Sequence, residues 1–257
     1  MANDVHIQCV DHLDRGVSYA ESCFETFRII NGFIFAWDYH WHRLQQGLQS
    51  FGIMLTNQQQ VLQQCLSAAS HTSNDCLLRL TVSGGDAPWG LKRQATPNIY
   101  IQAQAFQAKT TKIHLQSVEY PYPLTPKTAK FSSDYALILR ASQGWALADV
   151  NTALVCKDGI ILGGVTANIA LFIDKQWVTP EGDGVLPGTI RHFLMQQGLI
   201  QAQTCPANLL AQTQAAVFLN SGSFIQVIHT INGKPLDTSH PAIASLQHAL
   251  QHEKGVR

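Results

Sequence analysis

The sequence predicts a chain of mixed helix and strand, and three observations carry that expectation. Asn31-Gly32 stands between two apolar runs, Cys23–Ile30 and Phe33–Phe35, which is a strong short hairpin signal. The stretches CLLRLTVS (76–83) and PNIYIQAQAF (97–106) alternate as half-buried strands do. From Gly159 onward, two short apolar strands separated by turn residues lead into GDGVLPGTIR (182–191), which opens a helix.

Composition sets the bounds. At 257 residues the chain forms one large domain or two small ones. Hydrophobic residues make up 46% and charged residues 13%, which supplies a sizeable core and excludes a disordered composition. Seventeen basic residues balance seventeen acidic ones, so no electrostatic case exists for nucleic acid or an anionic membrane surface. No apolar run reaches the length of a membrane span, and Met1-Ala2-Asn3-Asp4 lacks a signal-peptide pattern. The six cysteines, at 9, 23, 65, 76, 156 and 205, include no C-x-x-C pair and read as buried thiols. The expectation is a soluble, cytoplasmic protein.

Taken in order, residues 5–10 (VHIQCV) read as a first strand, and the 23–35 hairpin follows. Asp38 is a plausible N-cap for a helix through His40, Arg43, Leu44, Leu48 and Phe51. On such a helix Arg43 alone would be a solvated cation. His40 and His42 sit two positions apart, do not face each other, and make no metal pair. Gln58 to Ser70 reads as a second helix, and the turn-rich loop 84–90 separates the two alternating strands. Proline density in YPYPLTP (120–126) argues for an extended connection. The division expected is an N-terminal α+β domain (1–108), a linker (109–125) and a C-terminal domain (126–257). Beyond the linker come Lys127, Lys130, a helix-like run from Tyr135 to Leu147, and a buried strand from Asn151 to Cys156. A helix stopping at Gly198 and a last helix from about Pro241 to His252 complete the chain.

One pair of segments suggests chemistry. Small residues around Thr166 and Ala167 let backbone amides approach a ligand, and Gly188-Thr189-Ile190 places amides at a helix start. Together they suit a phosphate; singly, each reads as an ordinary turn.

The segment DGIILGGVTANIALF…VTP…GVLPGTIR resembles the signature of the class IV aminotransferases, the fold-type IV pyridoxal-phosphate enzymes. Phe24-Glu25-Thr26, Gly32, Asp38, His40 and Arg43-Leu44 resemble that family's N-terminal pattern, and Asn220-Ser221 its later turn. The resemblance implies an α+β fold like that of D-amino-acid aminotransferase. An N-terminal α/β sandwich and a C-terminal pseudo-barrel would hold pyridoxal 5'-phosphate between them. It implies that Lys130, placed ahead of a helix, is the lysine joined to the cofactor and the general base, and that Arg43 reaches the phosphate. Thr166, Ala167, Gly188, Thr189 and Ile190 would complete the phosphate site. It also implies a homodimer acting on a small-molecule substrate.

Two positions depart from the family's pattern. Gly163 stands where the family places the glutamate beside the pyridine nitrogen, and Gly84 where many relatives carry an arginine for substrate carboxylates. Both absences weigh against transamination of an α-amino acid. They favour 4-amino-4-deoxychorismate lyase, which releases pyruvate as 4-aminobenzoate becomes aromatic. A D-amino-acid or branched-chain aminotransferase is the alternative, with Arg79, Lys92 or Arg93 as substitute cations. A non-catalytic relative that keeps the fold is the third reading.

Overall fold

The computed structural model describes residues 12–92, 96–108 and 111–251; the strand expected at residues 5–10 lies outside them. The first structured part opens with a two-residue strand β1 (Leu13–Asp14), a short helix α1 (Arg15–Tyr19), β2 (Ser22–Ile30) and β3 (Phe33–Ile34). Asn31 and Gly32 take φ of 51° and 78° between β2 and β3, the positive values that a two-residue hairpin turn requires. Two helices, α2 (Trp37–Ser50) and α3 (Gln58–Ser70), precede β4 (Asp75–Ser83), the two-residue β5 (Asp86–Ala87) and β6 (Asn98–Ala105).

Strands β3, β2, β4 and β6 form a four-stranded sheet in that order. Period-two patterning decides which side of it is buried. Cys23, Phe27 and Ile29 of β2 join Cys76, Leu78, Leu80 and Val82 of β4 on one face, packed against Leu44, Leu48, Val61, Leu62 and Cys65 of the two helices. Phe24, Thr26, Arg28, Leu77, Arg79 and Thr81 alternate with these and take the opposite face.

Asp38 does not cap α2. The cap position is Ala36, held at φ 52°, so Asp38 already lies inside the first turn. There its carboxylate accepts a hydrogen bond from Gln58 of α3 at 3.3 Å and complements the positive end of the helix.

The second part begins with β7 (Ile113–Glu119), followed by an irregular, proline-dense stretch and α4 (Ser132–Ser142). Then come β8 (Ala153–Lys157), β9 (Ile160–Gly164), β10 (Asn168–Ile173) and β11 (Gln176–Pro180). They are followed by α5 (Thr189–Gln196), β12 (Ile200–Gln203), β13 (Ala215–Asn220), β14 (Phe224–Ile231), β15 (Lys234–Pro235) and α6 (Pro241–Gln251). A single sheet runs β12-β11-β10-β13-β14-β7-β8-β9, with β15 added against β14. It curls into a half-barrel: Ile169 and Leu171 of β10, Ile161 of β9, Leu154 of β8 and Ile228 of β14 converge on one core. On its other side α5 and α6 cover Ala170, Val217 and Leu219. The architecture is α+β.

The two sheets meet through the segment just before α4. Phe131 bridges Cys23, the Phe24 amide donates to the Lys130 carbonyl at 3.0 Å, and the Ser22 hydroxyl donates to that of Ser132 at 2.6 Å. The backbone of Lys130 is therefore fixed by the first strand of the other sheet.

Candidate active site

Between the sheets lies a cavity of about 170 Å³. All seven residues singled out from the sequence line it: Arg43, Lys130, Thr166, Ala167, Gly188, Thr189 and Ile190. One end is built from backbone. The Gly164 amide donates to the Ala167 carbonyl at 2.9 Å, closing the tight turn that carries Thr166. A Cβ on Gly188 would come within 1.9 Å of Asn168 Oδ1, so only glycine allows β10 and the start of α5 to approach this closely. Gly188's own amide is occupied by the Leu186 carbonyl at 2.8 Å, which leaves the helix-start donors to Thr189 and Ile190. The Thr189 hydroxyl shares a 2.7 Å hydrogen bond with Ser221, and Asn168 donates to the Leu186 carbonyl at 2.9 Å. Thr179 and Arg191 serve the scaffold behind this cradle. Arg191 donates to the Pro180 carbonyl at 2.9 Å and to the Thr179 hydroxyl at 3.3 Å, pinning α5 to β11.

The opposite wall is ionic and buried. Glu25 lies on the helix-facing side of β2 and is 1% exposed. Its carboxylate accepts from Arg43 Nε at 2.8 Å and Arg43 Nη2 at 2.6 Å, and from His40 Nδ1 at 2.7 Å. Arg43 Nη1 crosses to the Pro187 carbonyl at 2.8 Å, joining α2 to the cradle loop. Burial alone would raise the Glu25 pKa; the charge and hydrogen bonds of Arg43, with His40 added, outweigh it and hold Glu25 at about 2. His40 is pushed below its ordinary value by burial and stays neutral, its Nδ1–H donated to Glu25. The helix cation that would be solvated on its own is thus a fixed, buried one.

Lys130 meets this wall from the other side. Burial first, then the Arg43 charge, lowers its pKa to about 8, against an opposing pull from Glu25. Its Nζ lies 5.5 Å from the centre of the Phe24 ring. Arg79 stacks on that ring at 3.6 Å, and Tyr135 meets it edge-on at 5.1 Å. Glu25, Phe24 and Tyr135 are functional neighbours that the sequence reading did not assign. The one available signal was phase: an acid at position 25 shares its strand face with Cys23, Phe27 and Ile29, and so demands a buried partner.

The two departures have physical counterparts. Gly163 sits at φ 139°, and a Cβ there would lie 3.0 Å from the Ala167 carbonyl, so a glutamate on this backbone would be strained. A Cβ on Gly84 would meet the Glu21 carboxylate at 2.9 Å, and Glu21 is paired with the buried Arg15. Among the substitute cations, Lys92 is exposed, Arg93 lies outside the described residues, and Arg79 is on the inner sheet face. Asp134 is the one carboxylate among the described residues lining the cavity.

An enclosed amine with a lowered pKa, sharing one cavity with backbone amides, hydroxyls and a fixed guanidinium, suits an aldehyde that carries a phosphate. The D-amino-acid transaminase of Arabidopsis thaliana is 24% identical over 204 residues, covering 73% of this chain; the chain matches 55% of that relative's length. The crystal structure of 4-amino-4-deoxychorismate lyase from Pseudomonas aeruginosa superposes with a TM-score of 0.78 at 19% identity, covering 96% of each chain. The branched-chain amino acid aminotransferase of Escherichia coli gives a TM-score of 0.78 at 17% identity, covering 95% of this chain and 88% of that one. At these identities the structures establish the fold-type IV pyridoxal-phosphate fold alone. The family model for amino-transferase class IV matches residues 22–231, so the chain belongs to the class IV amino-transferase family.

Proposed function

We propose that the protein is a pyridoxal-phosphate enzyme that cleaves 4-amino-4-deoxychorismate to 4-aminobenzoate and pyruvate. The observation that carries this reading is the pairing of an enclosed Lys130 amine with a cavity that lacks the family's ring-facing acid, Gly163 being unable to supply one. A reaction driven by aromatisation needs less help from a protonated ring than transamination does.

In this reading Thr166, Ala167, Thr189 and Ile190 hold the phosphate by backbone and hydroxyl contacts. Arg43, oriented by Glu25 and the Pro187 carbonyl, adds charge. When bound, the cofactor supplies an aldehyde for the substrate amine and a ring that spreads negative charge. Lys130 Nζ takes the proton from the ring carbon that bears the amine, a role its lowered pKa permits near neutral pH. The carbon–oxygen bond to the enolpyruvyl group then breaks, with the electron pair leaving on oxygen. Loss of the proton and departure of the side chain together leave an aromatic ring.

Pyruvate release from 4-amino-4-deoxychorismate, followed with a coupled dehydrogenase and needing no amino acceptor, tests this directly. Formation of a keto acid only in the presence of an acceptor would transfer the assignment to the aminotransferase reading. One observation favours that second reading: Arg79, stacked on the Phe24 ring beside Lys130, forms no salt bridge among the described residues and so is a cation available to an α-carboxylate. The proposal extends to a cytoplasmic homodimer in folate biosynthesis. The exposed Val17, Trp89 and Leu91 around α1 and the 84–92 loop supply apolar surface for the contact. Sedimentation at micromolar concentration checks the oligomeric state.

A further inference from the structure

Asp134 is the cavity carboxylate that neither the phosphate cradle nor Lys130 accounts for. It lies in the first turn of α4, lines the same cavity as Lys130, and forms no hydrogen bond or salt bridge through its side chain among the described residues. Every other acid close to the site is committed: Glu25 to Arg43 and His40, Glu21 to Arg15. A half-buried carboxylate that lines a ligand cavity and has no hydrogen-bond partner of its own is free to exchange a proton with a ligand there. Resting on the lyase reading, we propose that Asp134 is the general acid that protonates the departing enolpyruvyl oxygen.

The step balances with no other reactant. As the carbon–oxygen bond breaks, the pair stays on oxygen and the Asp134 proton moves onto it. The released enol tautomerises to pyruvate, and Asp134 takes its next proton from solvent. Separation of duties fits the electrostatics: burial, Arg43, Glu25 and Arg79 set the Lys130 amine, whereas Asp134 feels Lys127. The proton removed from carbon and the proton delivered to oxygen are handled by different groups of the cavity lining.

Burial raises the Asp134 pKa, opposed by Lys127, which also lines the cavity. The other titratable groups facing it are Cys23 from β2, Tyr120 beyond β7 and Tyr135 on its own helix. Burial holds the Cys23 thiol at about 12 and raises both phenols, so all three stay neutral where Asp134 titrates. A general acid must carry its proton, so turnover should fall with rising pH once Lys130 is neutral, above about 8.

The test compares cofactor-loaded wild type with Asp134→Asn and Asp134→Glu. Two quantities are read separately: the substrate-induced change in the cofactor's visible band, and pyruvate release as a function of pH. Expected for Asp134→Asn are an unchanged band response, pyruvate release slower by roughly 100-fold, and loss of the high-pH fall. Asp134→Glu should restore part of the rate and that limb. Pyruvate release by Asp134→Asn within about threefold of wild type, with the same limb, overturns the proposal at that scale of effect. If Asp134→Asn does not fold, a wild-type profile without a high-pH fall overturns it equally. A wild type that binds the cofactor yet releases no pyruvate overturns the lyase reading itself, a result distinct from either of these.

Discussion

The two walls of the cavity solve the same problem in opposite ways. The cradle, from Gly164 to Asn168 and Leu186 to Ile190, is uncharged and made of backbone donors, hydroxyls and close approaches between main chains. The facing wall, where Arg43 and Lys130 line the cavity with Glu25 and His40 behind Arg43, gathers charges from β2, α2 and the stretch before α4. The cradle is held by turn geometry and needs little from the rest of the chain. The ionic wall exists only because two sheets and two helices bury it, so each member depends on its partners. Defects should therefore stay local in the cradle and spread in the ionic wall.

The largest effect should come from Glu25→Ala. It leaves Arg43 buried without its carboxylate, and removing one partner of a buried pair costs about 3–5 kcal/mol. Urea unfolding should show that loss at neutral pH. In the wild type the Glu25 contribution is fully present above the ordinary carboxylate value and is lost as pH falls toward its folded value of about 2. An effect below about 1 kcal/mol, the level of an exposed pair, would dissolve the contrast between the walls.

A smaller and more local effect is expected for Gly188→Ala. The new methyl group collides with Asn168, an overpacking change that costs about 1–3 kcal/mol. Pyridoxal phosphate affinity should weaken while the pH dependence of stability stays that of wild type. Thr189→Val should be smaller still, about 1 kcal/mol for the lost hydrogen bond to Ser221, read as a shift in the same unfolding midpoint.

Lys130 sharpens the comparison through pH. Its folded pKa is lowered from 10.5 to about 8, so the cost of burying its charge is fully present below 8 and relieved as pH rises from 8 toward 10.5. Lys130→Met should thus be more stable than wild type at pH 7, with the gap closing at alkaline pH. The rate at which apoprotein takes up pyridoxal phosphate should rise through about pH 8, as neutral amine becomes available.

What could be read from the sequence follows the same division. GVLPGTIR and the turn around Thr166 were legible because turn and helix-start chemistry is local, and seven of seven proposed residues converge on one cavity. The Asn31-Gly32 hairpin and the 58–70 helix were legible for the same reason. Asp38 misled because the chain enters α2 through a left-handed Ala36, which no propensity favours. Glu25, Tyr135 and Asp134 were not assigned, since an acid or phenol reads the same in sequence whether water or another sheet covers it. Only the phase of Glu25 within β2, on the side of Cys23 and Phe27, betrayed its burial.

The central claim is that the enclosed amine of Lys130 joins the cofactor while the backbone cradle holds its phosphate. Mixing apoprotein with pyridoxal phosphate and recording the visible spectrum, for wild type and Lys130→Ala, tests it most directly. A visible band that survives gel filtration in wild type and is absent in a folded Lys130→Ala is the predicted result. An identical band in both proteins, or none in folded wild type, would contradict it.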